Sequence, residues 1–383
     1  MIVQHPLLWC AVSLMAGISI GFYFPLPLYL PLLFVAVVAC TLTRKTRHLH
    51  DVITLAVWLL LGCSRAFVAV GSNAEPSWQR DVREKAKAVQ THLVARLESS
   101  GVAPRTLALC SALVVGKKDG LMRETRQAYA QVGASHLLAL SGLHLGIIYG
   151  FLYFLLVHRV RHGRWRWFSL PLILLCLWGY AWVAGMPVSL VRAALMLSLL
   201  SVVSLMQYRT DPLNPLALSA IVILLVEPDN LLSISFQLSF AAVFFLLALW
   251  SPINERFPRL CWAVKVMAVS CVAQLGTMPL TLYYFHQLPL LSPLLSVVLI
   301  PMTTLIIYLT IAAMLLPIPP IGWTLNYVEA WQEKFIDVAG SIPWGTLTDI
   351  YMSATLVALI YGAMILAIVR LRTRRSSCSD TEV

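Results

Sequence analysis

Charge is what this chain has little of. Asp, Glu, Lys and Arg make up 12% of its 383 residues, against roughly 25% in an ordinary soluble domain. That is about half of what a water-facing surface requires, while 59% of the residues are hydrophobic and the mean hydropathy is +0.80. A soluble two-domain enzyme is excluded, and so is a disordered chain. Other absences narrow the chemistry. No GxxxxGK[ST] loop occurs, so ATP hydrolysis by this chain has no support. The eight cysteines include no CxxC pair and lie mainly in apolar runs; they read as small buried hydrophobes, not as a disulfide framework or a zinc site. His48-Leu49-His50-Asp51 begins like a metallo-hydrolase ligand set but has no further ligands downstream. No metal and no cofactor is expected. No basic stretch precedes the first apolar run, and more apolar runs follow it, so a cleavable signal peptide is not expected.

What is present is a succession of apolar runs of about 20 residues, the length that crosses roughly 30 Å of hydrocarbon as a helix. Spans are predicted at 6–23, 26–42, 52–70, 136–157, 167–184, 188–206, 213–226, 231–250, 261–282 and 350–369. The fold class is therefore an all-α polytopic integral membrane protein of about ten transmembrane helices. Basic breaks at 44–50, 158–166, 207–211, 254–259 and the 370–375 tail supply much of the net charge of +11. Placing them all in the cytoplasm satisfies the positive-inside rule through the ninth span.

Between 288 and 317 the count runs into difficulty, because one further crossing would send the arginine-rich tail outside. Pro293 and Pro301 interrupt this stretch, and proline removes a backbone donor. A re-entrant pair of half-helices turning near Pro301 is predicted, with a single kinked span as the competing reading. Two amphipathic segments are predicted to be interfacial. One is 77–98, with Val82, Ala86, Val89, Leu93 and Leu97 on one face, and the other is 327–339. Four cations, Lys117, Lys118, Arg123 and Arg126, fall on the assigned outer side, where positive-inside bias does not explain them.

The segment 133–150, GASHLLALSGLHLGIIYG, is the most informative. As one helix it places Gly142, Gly146 and Gly150 on a packing face that lets a neighbour approach closely. His136, Ser141 and His144 then share the opposite arc. These histidines are either satisfied in the core or line a wet path. Ser141 and His144 are neighbours, but the nearest acids in sequence, Asp119 and Glu124, precede the span, so no Ser/His/Asp set forms. Arg192 lies in the first turns of a span. Either it snorkels to the outer surface, or it needs an anionic partner such as Glu227, Asp229 or something that passes through. Ser233, Ser235, Gln237 and Ser239 make two polar stripes on the next-but-one span, and Gln274 is an isolated amide in the one after that.

From GASHLLALSGLHLG onward the chain resembles the ComEC family of bacterial competence proteins. The resemblance continues in order through Gly116-Lys117-Lys118-Asp119, the segment 185–196 with Arg192, Asp211-Pro212-Leu213-Asn214, Glu227-Pro228, Ser235-Phe236-Gln237-Leu238-Ser239-Phe240, the run from Gln274 to Pro279, and Tyr284-Phe285. It covers roughly 104–370, most of that family's membrane domain. It implies passage of single-stranded DNA across the cytoplasmic membrane in natural transformation. The implied partners are an outside DNA receptor, a separate nuclease and a cytoplasmic DNA translocase, besides membrane lipid. Three departures stand out. The segment 72–104 is too short for the OB-like domain many members carry. No HxHxDH set of a metallo-β-lactamase-like domain is present. Ser296 stands where relatives usually have Asn. Nuclease activity is therefore not expected of this polypeptide, and it is not expected to be an enzyme.

On this reading residues 1–71 form a three-span segment, 72–135 a short extramembrane segment, 136–370 the channel domain and 371–383 a cytoplasmic tail. The transport path is expected along His136, Ser141, His144, Arg192, Gln237, Ser239 and Gln274, since single-stranded DNA needs positive charge along its phosphates and a polar route. Lys117, Lys118, Arg123 and Arg126 are expected to collect phosphate at the mouth, and His136 and His144 are candidates for proton coupling. Two other readings stay open: a small-solute or lipid-linked transporter on the same scaffold, and a membrane hydrolase using Ser141 and His144.

Overall fold

The computed structural model describes residues 6–26, 28–42, 47–70, 77–117, 120–138, 140–158, 166–205, 211–256, 259–342 and 344–379. They are helical almost throughout, as a chain with so little polar surface must be. A helix satisfies its own backbone donors and acceptors, and lipid offers no substitute. The chain is an all-α polytopic membrane protein. It packs as two compact units that interleave along the sequence, one of Met1–Lys87 with Leu145–Gln237, the other of Ala88–His144 with Leu238–Val383. These cut across the sequential segments expected from the sequence.

In the first unit, α1 (Pro6–Tyr23) packs on α3 (Arg47–Val70), and α2 (Tyr29–Leu42) packs on α3 as well. Helix α4 (Ser77–Ser99) begins in this unit and ends in the second, with Ala86 and Leu97 of its predicted apolar face fully buried. Four further helices are α8 (Gly142–Tyr153), α9 (Arg166–Val183), α10 (Val188–Leu205) and α11 (Leu213–Val226). α10 packs on both α9 and α11, and α11 also lies on α1. A 3-10 turn, Pro228–Leu232, precedes α12 (Ile234–Arg256).

The close α1–α3 approach depends on glycine. A Cβ at Gly62 would stand 2.3 Å from the Leu14 carbonyl oxygen, and Cβ atoms at Gly17 and Gly21 would strike the α3 backbone at Leu59 and Cys63. Gly17 and Gly21 are spaced by four, the small-residue pattern that lets membrane helices approach backbone to backbone. The sequence reading placed this role on Gly142, Gly146 and Gly150. That assignment is corrected at two of the three positions, since a Cβ at Gly146 or Gly150 meets nothing within 4 Å.

In the second unit, α5 (Pro104–Val115) starts on a proline, which needs no donor there, and stops at Gly116, whose φ of 78° suits a helix end. α6 (Arg123–Gln131) and α7 (Ser135–Leu138) follow. α13 (Trp262–Phe285) leads through β1 (Leu288–Pro289) into α14 (Ser292–Leu315), α15 (Pro319–Gly340), β2 (Thr346–Leu347) and α16 (Ala354–Ser379). Phe245, Ala248 and Ile368 form an α12–α16 core, and the Tyr361 hydroxyl of α16 donates to the Gly276 carbonyl of α13 at 2.9 Å.

Two expectations fail here. The predicted span 136–157 is not one helix: α7 ends at Leu138, Leu140 and Ser141 are non-helical, and α8 starts at Gly142. His136 and His144 therefore sit on different helices and share no arc. Nor does the chain re-enter at Pro301. Pro293 lies in the first turn of α14, where no donor is required, and Pro301 is carried inside a continuous 24-residue helix, roughly 36 Å long. α14 holds through the lost bond because α13, α15 and α5 pack on it. α15 runs back along α14, and β1 pairs with β2 through Leu288 with Leu347 and Pro289 with Thr346. The chain thus leaves and rejoins the same end.

Gly62→Val is expected to lower the melting temperature of the detergent-solubilised protein, through an overpacking cost of about 1–3 kcal/mol. Gly146→Ala, with open space around it, is expected to leave stability equal or raise it by up to ~1 kcal/mol. Equal melting temperatures for the two variants would show that the α1–α3 crossing does not depend on these glycines.

Candidate polyanion site and its polar side chains

Arg192 is the most deeply buried charge among the described residues, 2% exposed on α10. Its Nη2 donates to the Ser235 hydroxyl at 3.3 Å, and its guanidinium carbon lies 5.8 Å from the Phe236 ring centroid. Nε and Nη1 are buried with no hydrogen-bond partner among the described residues. Glu227, one of the acids considered as its counter-ion, takes a bond from Asn230 Nδ2 at 2.9 Å. Arg192 therefore does not snorkel to the surface. The first turn of α12 holds it by one hydroxyl and one aromatic face. A cation at the centre of a membrane helix costs roughly 2.5–3.5 kcal/mol on insertion scales. Arg192 lies in the first turns of α10 but is just as withdrawn from solvent, and neutral hydrogen bonds of this kind offset only part of such a cost.

His144 is fully buried in the second unit. Its Nδ1 lies 3.0 Å from the Ser141 hydroxyl and 3.4 Å from the Ser141 backbone N–H. Ser141 stands at the N-cap position of α8 and His144 is the third helical residue, so the imidazole reaches back to the Ser141 backbone N–H as the third-residue side chain of a capping box does. Because Nδ1 accepts from the backbone N–H, the ring proton resides on Nε2, and that buried Nε2 has no partner among the described residues. His136 is exposed on α7, its Nδ1 3.1 Å from the Gly133 carbonyl.

The amides are more committed. Gln237 Nε2 donates to the Leu231 carbonyl at 3.0 Å and thereby fastens the 3-10 turn before α12. Gln274 Nε2 donates to the Pro289 carbonyl at 2.7 Å, tying α13 to β1, while its Oε1 is buried without a partner among the described residues. Ser239 is half-buried. Of the cationic cluster, Arg123 and Arg126 are exposed on α6 and Lys117 is half-buried just past the α5 cap; Lys118 lies outside the described residues. Ser296, the departure from the resemblance, donates to the Ser292 carbonyl at 2.7 Å within α14.

Within the first unit the structure brings Arg192 to Ser235 and Phe236. Within the second it joins Ser141 to His144 and Gln274 to β1. Sequence reasoning missed a further buried polar group in the second unit, Thr106, Tyr129, Thr303, Glu329 and Gln332. The only signal was an acid and an amide three residues apart on the inward face of the amphipathic segment.

Residues 113–374 match the family described as Competence protein. The chain belongs to that family. It is 34% identical over 220 residues to ComE operon protein 3 of Bacillus subtilis, which covers 57% of this chain and 27% of that protein. It is 30% identical over 195 residues to Recombination protein 2 of Haemophilus influenzae, 48% of this chain and 25% of that one. An uncharacterized protein of Mycoplasma pneumoniae is 26% identical over 293 residues, covering 71% of this chain and 70% of its own length. Against the first two relatives, then, the match spans only about a quarter of their length. No solved structure matches.

Ser141→Ala is expected to destabilise this competence protein by about 0.5–2 kcal/mol, the range for a lost helix cap, read as a fall in melting temperature in detergent. Ser141→Asp, which can still cap, should recover most of it. Unchanged stability in Ser141→Ala would remove the capping role from the Ser141–His144 pair.

Proposed function

We propose that this chain forms a membrane-embedded conduit component through which single-stranded DNA enters the cell in natural transformation. The observation that carries the reading is Arg192, a guanidinium 2% exposed, held by a serine and a phenylalanine, with two donors unspent. Buried polar atoms without partners are rare in native proteins and call for an explanation. A passing phosphate is the anion that would use them. The His144 Nε2–H is a third unspent donor. The exposed Arg123 and Arg126 of α6 are suited to gather the strand at the outer mouth, because phosphate neutralisation dominates nucleic-acid affinity. A pore that bound its cargo strongly throughout would stall it, so a sparse set of contacts fits transport.

On this proposal the protein sits in the cytoplasmic membrane as a multi-pass chain. Positive-inside bias puts the arginines after 369 in the cytoplasm. The chain conducts and catalyses no bond cleavage itself. An outside receptor, a separate nuclease and a cytoplasmic translocase supply delivery, strand removal and pulling. The names of the relatives, a competence-operon product and a recombination protein, support the setting.

The test is to delete the gene and follow labelled linear DNA, scoring surface binding and cytosolic entry separately. Loss of entry with intact binding is expected. Arg192→Ala and His144→Ala, each checked for membrane insertion, are expected to reduce entry roughly tenfold or more, the effect of losing a charge-assisted contact of ~1.5–3 kcal/mol. Normal entry in the deletion strain would end the proposal. Normal entry with both variants stably made would end the role given to the two side chains.

A further inference from the structure

In the second unit, α15 carries an acid that its neighbours do not neutralise. Four acidic or amide side chains of this helix, Glu329, Gln332, Glu333 and Asp337, spread from its buried face to its edge. Opposite them α5 presents Arg105, Thr106 and Cys110, α6 presents Glu124 and Tyr129, and α14 presents the hydroxyls of Thr303 and Thr310. Between α5, α6 and α15 lies a cavity of about 230 Å³, lined among others by Arg105, Glu124, Tyr129, Glu329, Glu333 and Asp337.

Within this group the charges divide unequally. Arg105 forms an ion pair with Glu333. Glu124 and Asp337 are exposed and keep their water. Glu329 is 7% exposed, the only buried acid among the described residues, and its Oε2 accepts one bond, from the Thr106 hydroxyl at 3.3 Å. Next to it Gln332, 1% exposed, donates from Nε2 to Tyr129 Oη and Thr303 Oγ1, both at 3.1 Å. Its Oε1 is left without a partner among the described residues. One hydroxyl does not replace the hydration of a carboxylate, and three further acids line the same cavity against a single guanidinium already paired.

We propose that Glu329 is a proton-binding site, loaded from the α5–α6–α15 cavity, and that its neutral acid is the form this packing is built around. A proton from solvent adds to a carboxylate oxygen through the cavity, with Glu124 and Asp337 at its wetter edge, and nothing leaves in exchange. As the acid, Glu329 is a hydrogen-bond donor in a place crowded with acceptors. As the anion, it draws on the Thr106 hydroxyl and competes with Glu333 for Arg105. Gain and loss of that proton therefore changes the hold of α15 on α5. The energetics agree: burial pushes the Glu329 carboxyl above its ordinary range, while Arg105 and the Thr106 hydroxyl pull it back only in part. The site does not depend on the DNA reading, and its test uses no DNA.

The probe is dicyclohexylcarbodiimide, applied to the whole protein in lipid nanodiscs. This lipophilic reagent takes the proton of a neutral carboxyl on nitrogen and the carboxylate on its central carbon, then rearranges to a stable N-acylurea that mass spectrometry locates. Labelling of the Glu329 peptide is expected at low pH, falling by about tenfold per pH unit above the midpoint of a single acid. Thr106→Val, which removes support for the anion, should shift that fall to higher pH, and Asp337→Asn should leave the labelled position unchanged. Infrared spectra provide a second readout that needs no reagent access. A carbonyl band of a protonated carboxyl should persist above the pH at which the exposed acids have ionised, and Glu329→Gln should remove it. A wild-type protein whose carboxyls all ionise together overturns the proposal, whatever the reagent does; so does labelling of Glu329 that is indifferent to pH.

Discussion

A polar atom in this protein has nowhere to go but to another part of the chain. With charged residues at 12% of the sequence and apolar helices facing lipid, water is not on hand to settle an unmet donor or acceptor, and each one left over costs about 1–3 kcal/mol. That constraint explains why the chain is helical and why α1 and α3 meet over glycine. It also explains why most polar side chains inside spend themselves on nearby backbone. Ser64, Ser198, Ser296 and Thr277 all donate to carbonyls one turn back on their own helices. Gln237 and Gln274 reach slightly farther but do the same kind of structural work. Against that background the atoms that remain unsatisfied carry information, because the rest of the chain shows how readily such atoms are satisfied.

Much of the architecture was legible because hydrophobic run length is a strong signal. Each predicted span has a helix within it, and the apolar face assigned to 77–98 buries Ala86 and Leu97. The errors share a cause: a local rule was overridden, or an equally local one was passed over. Ser141-Gly142 is a helix start, with serine at the cap and a side chain three residues on that reaches back, but the surrounding leucines hid it inside a continuous run. Pro301 was given the power to break a helix, yet neighbours packed on three sides hold α14 together. The glycine pattern at 142, 146 and 150 lies beside polar residues, whereas Gly17 and Gly21 have the same spacing in a greasy helix, and tertiary packing decides between them.

The site was legible in kind and not in arrangement. Arg192 stood out because a cation in an apolar run always does, but its two holders could not be inferred, since Ser235 and Phe236 lie more than forty residues away and one of them is not polar. Glu329 was less visible. In sequence it is one of three acids on an amphipathic segment that also shows Trp323, Tyr327 and Trp331 on its exposed side, and such a helix reads as interfacial. Only the packing of α5 and α14 against its inner face separates Glu329 from Glu333 and Asp337. Identical residue types four positions apart thus acquire different chemistry from burial alone.

The unsatisfied atoms are not all of one kind. Arg192 Nε and Nη1 in the first unit are donors, and so is His144 Nε2 in the second, so what completes each of them is an acceptor. Gln332 Oε1 is an acceptor beside a carboxyl, so what completes that place brings a hydrogen. A phosphate answers the first requirement and a proton the second, and neither answers the other. The division matters for how energy could enter such a protein. A guanidinium stays charged across the physiological range and is suited to holding a polyanion without regard to pH. A carboxyl buried as Glu329 is changes charge with its surroundings, and it sits between helices whose contacts depend on that charge. On the two proposals, holding a polyanion and binding a proton fall to different side chains because one group could not do both.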